Sequence, residues 1–157
     1  MSERLTHHAT FVIERSYATT PARVFKAWAD PAAKARWFGG PEDWMKAGHE
    51  LDFRVGGRER LSSRPPGGPA HTFDARYYDI VPEQRIVYTY DMRLDDARIS
   101  VSLATVEFKP EGAGTRMIFT EQGVFLDGYD DSGERERGTR ALLDKLDAEL
   151  RRAAGSV

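Results

Sequence analysis

Two glutamates stand where their neighbours argue against a charge. In the segment GRERL, Glu59 alternates onto the same side as Leu61; in TRMIFTEQ, Glu121 shares a side with Met117 and Phe119. A carboxyl on an apolar strand face loses hydration. That disfavours its charged form and raises its pKa, which suits it to general acid or base work near neutral pH. Glu59 and Glu121 are therefore the catalytic candidates. The competing reading gives each a buried arginine partner, Arg54, Arg76 or Arg135, or a place at a solvent-facing rim. In RIVYTYDM, the side shared by Ile86, Tyr88, Tyr90 and Met92 is assigned to a cavity. Tyr78, Tyr88 and Tyr90 supply hydroxyls that can orient a polar ligand.

Other chemistries find no support. The chain has no cysteine, which removes disulfides, thiolate metal sites and a cysteine nucleophile. Its histidines, His7, His8, His49 and His71, lack the i, i+4 spacing of a helical metal pair, so no metal is expected. GAG at 112–114 sits between two strands instead of opening a helix, and GGRER lacks the Lys-Ser/Thr end of a phosphate loop. No nucleotide cofactor, and no cofactor of any other kind, is expected. No G-x-S-x-G elbow occurs. The formal net charge of -2 points to neither nucleic acid nor an anionic membrane as a partner. MSERLTHHAT has no apolar signal region, and no apolar run approaches the roughly 20 residues of a membrane span. A cytoplasmic location is the expectation.

The elements that must position these residues follow from periodicity. HATFVIERSYATT (8–20) alternates, with Phe11, Ile13 and Tyr17 on one side, and reads as a half-buried strand. TPARVFKAWADP then has helix grammar: Thr20 as N-cap, Pro21 at the first position, and Val24, Phe25 and Trp28 as the apolar face. Pro31 ends that helix and begins a second, PAAKARWF, which Gly39-Gly40-Pro41 stops. From 42 to 122 the chain reads as strands: HELDFRV, RERLSS, HTFDARYYDIV, RIVYTYDM, RISVSLATVEF and TRMIFTEQ, joined by short turns and the SRPPGGPA loop. The last segment is a long helix, with Asp131 and Glu134 as a capping box. Gly138, Thr139, Leu142, Leu143, Leu146 and Leu150 form its buried stripe. A glycine on that stripe signals close approach to another backbone, or room left for something else. The expectation is one α+β domain over 1–157, with its core at about 9–153. A curved antiparallel sheet of six or seven strands wraps a long C-terminal helix, with two short helices after the first strand.

The order of PARVFKAWADP, ARWFGGP, DFRVGGR, DIVPEQRIVYTY and GAGTRMIFTEQG resembles the SRPBCC superfamily. Within it, the chain looks most like the branch named for the C-terminal domain of the heat-shock-protein-90 ATPase activator. The resemblance runs from about residue 10 to 152. It implies a helix-grip fold, as in START domains and the birch pollen allergen, with a hydrophobic cavity between sheet and long helix. Where the branch usually carries an aromatic and a tryptophan, this chain has Glu59 and Thr139, which makes the expected cavity more polar. The second short helix would sit at the cavity mouth, so that Trp37 and Phe38 serve as lining or as core plugs.

Three uses remain open. The first is binding of a small hydrophobic or amphipathic molecule, with Trp37, Phe38, Phe73, Tyr88, Tyr90, Met92 and Phe119 as walls. Trp44, Phe53, Tyr78 and Phe125 complete the lining, and Glu59 and Glu121 give polar selectivity. The second is a cyclase- or hydrolase-like enzyme, resembling aromatase/cyclase relatives, with Glu59 or Glu121 as acid/base. The third is a protein-interaction domain linked to a chaperone. A weak homodimer through the sheet face or the first strand is a further expectation.

Overall fold

A computed structural model describes residues 4–129 and 132–155. The chain runs β1 (Thr6–Tyr17), α1 (Pro21–Ala29), α2 (Pro31–Trp37), β2 (Met45–Leu51), β3 (Arg58–Arg64), β4 (His71–Val81), β5 (Arg85–Leu94), β6 (Ala97–Glu111), β7 (Gly114–Leu126) and α3 (Ser132–Gly155). All strands form one antiparallel sheet in the order β1-β7-β6-β5-β4-β3-β2. Strands β2 to β7 follow one another as neighbours, and β1 is the exception: it lies against β7, the last strand of the chain. Three helices and seven strands in this order are the expected helix-grip arrangement.

Local chemistry explains the two short helices. Thr20 caps α1 by accepting from the Arg23 N–H at 3.3 Å, and Pro21 starts the helix. Asp30 closes α1 and opens α2, accepting from the Ala33 N–H at 3.0 Å. One residue thus makes the corner between them. The capping box assigned to Asp131 lies outside the described residues.

The core sits between the concave sheet face and the helices. Ile13, Val24, Trp28, Trp37, Ile86, Val106 and Met117 are buried there, together with Leu143, Leu146 and Leu150 of α3. Two details differ from the periodicity reading. β2 ends at Leu51 because 52–57 form a tight turn: the Asp52 N–H donates to the Arg58 carbonyl at 2.8 Å, and Gly57 packs where a Cβ would stand 2.0 Å from the Asp52 carbonyl oxygen. Phe53 therefore leaves the sheet and packs edge-on against Phe25 and Tyr77. On β6 the polarity is inverted. Ser100 and Ser102 face the core, whereas Val101 and Leu103 are exposed on the convex face.

Candidate functional site

Between α3, the turn at 38–44 and strands β3, β4, β5 and β7 lies a cavity of about 640 Å³. Its inner walls are Trp28, Phe38, Leu61, Phe73, Tyr88, Tyr90, Met92 and Phe119. Gly39, Gly40, Pro41 and Trp44 form one side of the rim, and Glu134, Gly138, Ala141 and Lys145 of α3 form the other. The glycines of the turn are there for space. A Cβ on Gly40 would meet the Trp44 ring at 2.7 Å, and one on Gly39 would meet the Lys46 side chain at 2.6 Å. The turn holds Trp44 at the rim, where its ring packs against His71 with centroids 4.7 Å apart. Gly138 is the opposite case: a Cβ there would have nothing within 4 Å. Gly138 is exposed, off the buried stripe expected for it, and borders the cavity.

Glu121 lies at the inner end of the cavity. It is 1% exposed. Its Oε2 accepts from the Tyr90 hydroxyl at 2.8 Å and the Ser102 hydroxyl at 3.1 Å, and stands 3.5 Å from the Arg135 guanidinium. Arg135 also donates to the Tyr90 oxygen at 3.0 Å and to Ser100 at 2.7 Å. All these contacts to Glu121 fall on one oxygen, and among the described residues none reaches Oε1. Burial raises the Glu121 pKa and outweighs Arg135 and the hydroxyl donors, which pull it down. The inverted alternation of β6 is what places two serine hydroxyls on this carboxyl and its arginine.

Glu59 behaves in the opposite way. It is fully buried, but behind the wall instead of in the cavity. Its Oε1 accepts from Lys34 Nζ at 2.5 Å and the Tyr77 hydroxyl at 2.7 Å, and its Oε2 meets His49 Nε2 at 2.7 Å. Burial alone would raise its pKa. The Lys34 charge and the hydrogen bonds from His49, Lys34 and Tyr77 overcome that and hold it below the ordinary carboxylate value. Burial in turn pulls the Lys34 pKa down. Glu59 is held in this buried network and is absent from the cavity lining, so the structure does not bring it to the site expected of it. Lys34 Nζ also lies 4.4 Å from the centre of the Phe38 ring, a cation–π contact directly behind the cavity wall.

Other expected lining residues also fall elsewhere. Trp37 is a core plug: 1% exposed, its indole N–H donates to the Ala27 carbonyl at 2.9 Å, and its ring meets Trp28 edge-on. Phe53 left the sheet at the 52–57 turn. Tyr78 is 58% exposed, because its strand position points outward next to the Tyr77/Asp79 register shift. Phe125 is buried under the Arg135 guanidinium, 5.2 Å from its ring centre, outside the lining. Phe38, Trp44, Phe73, Tyr88, Tyr90, Met92, Phe119 and Glu121 do come together around the void. Of the proposed arginine partners, Arg135 serves Glu121, and Arg54 pairs instead with Asp52 on the surface. Lys34 was not anticipated. Its signal was present: Ala33, Lys34 and Trp37 form one stripe of a short helix, and a lysine on a buried stripe needs a buried partner. Among the described residues no cluster has metal-ligand character, and no helix is long and apolar enough to cross a membrane.

The raised pKa of Glu121 has a direction that can be measured. The folded state holds this proton to a higher pH than the unfolded chain, whose carboxyl titrates near its ordinary value of 4.5. Its contribution is therefore complete below that pH and is lost as pH rises through the folded pKa. Glu121→Gln imitates the protonated form. Urea unfolding at pH 4 and pH 7 should show the variant gaining on the wild type as pH rises, by at most about 1.4 kcal/mol per pH unit. A wild type that gains on the variant instead would mean that Arg135 dominates.

Residues 18–151 match the family model described as Activator of Hsp90 ATPase homolog 1-like protein. Among solved structures, an uncharacterized protein from Rhizobium leguminosarum is 50% identical, with 96% of this chain and 99% of that one covered and a TM-score of 0.91. A protein from Rhizobium loti is 48% identical over 92% and 99% of the two chains, with a TM-score of 0.86. The AHSA1 protein from Silicibacter pomeroyi is 27% identical over 91% and 98%, with a TM-score of 0.74. No curated protein matches the chain.

Proposed function

Because the chain belongs to the Activator of Hsp90 ATPase homolog 1-like family, within the SRPBCC superfamily, we propose that it binds a small, partly apolar molecule between its sheet and α3. The family is built on a fold generally used for ligand binding; the ligand-binding role of this particular cavity is the present proposal. The observation that carries it is the unfilled space beneath α3. Interiors pack to crystal-like density, and side chains normally close voids of this size. Gly138 of α3 stands at the rim of this one, where a Cβ would meet nothing within 4 Å. The volume lies within the roughly 300–1,000 Å³ typical of small-molecule sites. The walls are apolar, and Glu121 supplies a polar group with one oxygen unengaged by any described residue, the usual division of labour between affinity and orientation.

Native mass spectrometry tests this directly. Protein purified from its own host should carry a reproducible extra mass that is lost on denaturation. Protein that is uniformly at the bare chain mass, and that retains no added amphipath, would overturn the reading.

A second reading is favoured by one specific observation. Glu121 combines a raised pKa with an oxygen unengaged by any described residue, which are the properties of a general acid or base. If the bound molecule is a substrate, Glu121 is the residue that moves its proton, and Glu121→Gln would abolish turnover while leaving binding intact.

A further inference from the structure

Two lysines, Lys145 at the cavity rim and Lys46 beside it, are arranged unlike the other charges of the protein. Lys46 comes from β2 and donates to the carbonyls of Ala35 at 3.1 Å and Phe38 at 3.2 Å. Lys145 comes from α3 and donates to the Gly40 carbonyl at 2.7 Å, with the Gly39 carbonyl at 3.5 Å. Both ammonium groups are thus pinned to one turn of chain, at the end of α2, from opposite sides. Neither forms an ion pair with a carboxylate among the described residues, although Glu42 and Asp43 lie on the same turn. Elsewhere basic side chains find acids: Arg15 with Asp144, Arg36 with Glu149, Arg135 with Glu121.

The carbonyl at the end of a helix accounts for one such cation. It does not account for two that repel each other. Partial burial and the charge of Lys145 both press the Lys46 pKa below its ordinary value, so the two charges feel one another. Each ammonium has three donors and spends at most two on carbonyls. Each therefore keeps an N–H. Lys145 lines the cavity, and the Lys46 side chain runs against Gly39 of the same rim.

The other end of the site is different in kind. Glu121 and Arg135 pair there. Along α3, Arg135 and Lys145 are ten residues apart, a rise of about 15 Å. The site thus has two lysines at one end, an apolar body, and the Glu121–Arg135 pair at the other.

We propose that the molecule held here is an amphipathic carboxylate, its anionic end bound between Lys46 and Lys145 at the Gly39–Gly40 turn and its apolar body extending toward Phe73, Phe119 and Glu121. This rests on the binding reading above and specifies its ligand class. A carboxylate neutralises the repulsion between the two lysines and takes up their remaining donors. An alcohol or an amine of the same length does not.

Calorimetric titration with dodecanoate and dodecanol, below their micelle or solubility limits, separates the possibilities. Wild type should prefer dodecanoate by about tenfold or more, the effect of one or two charge-assisted hydrogen bonds. The Lys46→Gln, Lys145→Gln double variant keeps amide donors for the carbonyls. It should lose the preference while binding dodecanol as wild type does. If it fails to fold, by far-UV circular dichroism and melting, Lys145→Gln alone should still reduce the preference by severalfold. Equal affinity of wild type for the two ligands, or an undiminished preference in the variants, would overturn the carboxylate assignment and leave the cavity reading standing. Failure of wild type to bind either ligand would overturn both. So would unchanged dodecanoate binding after Gly138→Phe fills the cavity.

Discussion

Lys34→Met should destabilise the protein by about 3–5 kcal/mol, the cost of stripping one partner from a buried ion pair. The side chain is similar in length, so little packing is lost. What remains is Glu59, fully buried, with its carboxylate facing only His49 and the Tyr77 hydroxyl. Replacing the pair together, Lys34→Met with Glu59→Leu, should recover most of that loss, because no charge is then left without a partner. Urea unfolding of the two variants beside wild type checks this. A single variant within about 1 kcal/mol of wild type would show that the pair is not buried as described. The depressed pKa of Glu59 adds a sign to the test. Its contribution is complete above the unfolded carboxyl's value near 4.5 and is lost as pH falls through the folded pKa. Glu59 and Glu121 therefore act on stability in opposite directions on the two sides of that value.

Gly138→Phe should abolish ligand retention and leave the fold intact. The position is in the second turn of α3, at the rim of the cavity, with open space where a side chain would begin. Removing a helical glycine relieves a propensity cost of up to about 1 kcal/mol, and a phenyl ring in the void adds apolar contact. Most substitutions that destroy a binding site also weaken the protein. Here melting temperature and binding should separate, the first unchanged or higher and the second lost. Melting curves and native mass spectra of the same preparation measure both. A lower melting temperature together with retained ligand would mean that α3 sits closer to the sheet than described.

Most of the framework could be read from the chain, because it rests on short-range rules. Thr20-Pro21 and Asp30-Pro31 mark two helix starts through capping and fixed φ, and alternation marks the strands. The site was legible only in part. Phe73, Tyr88, Tyr90, Met92 and Phe119 line the void because neighbouring strands keep their inward parity. The two glutamates looked alike in sequence, each on an apolar strand face, and their roles diverge through partners distant in the chain: Lys34 on a helix for Glu59, Arg135 on another for Glu121. Periodicity cannot supply such pairings. Nor could it show that Ser100 and Ser102 turn inward, since that choice sacrifices the usual burial of Val101 and Leu103 for bonds to Glu121 and Arg135. Trp37 was ambiguous for another reason. A tryptophan at a helix end looks the same from the sequence whether it plugs a core or lines a cavity.

The position of β1 against β7 bears on how the chain reaches this state. Strands β2 to β7 pair with sequence neighbours and need only short loop closures. β1 has no strand partner until the chain has continued to Leu126, since Thr6 pairs with Leu126 and Tyr17 with Thr115. Closing so long a loop carries an entropic cost that is recovered only when the last strand is present. During synthesis β1 leaves the ribosome well before its partner strand, and is therefore among the later segments to find its place. The neighbouring pairs of the meander, β2 to β7, do not need it.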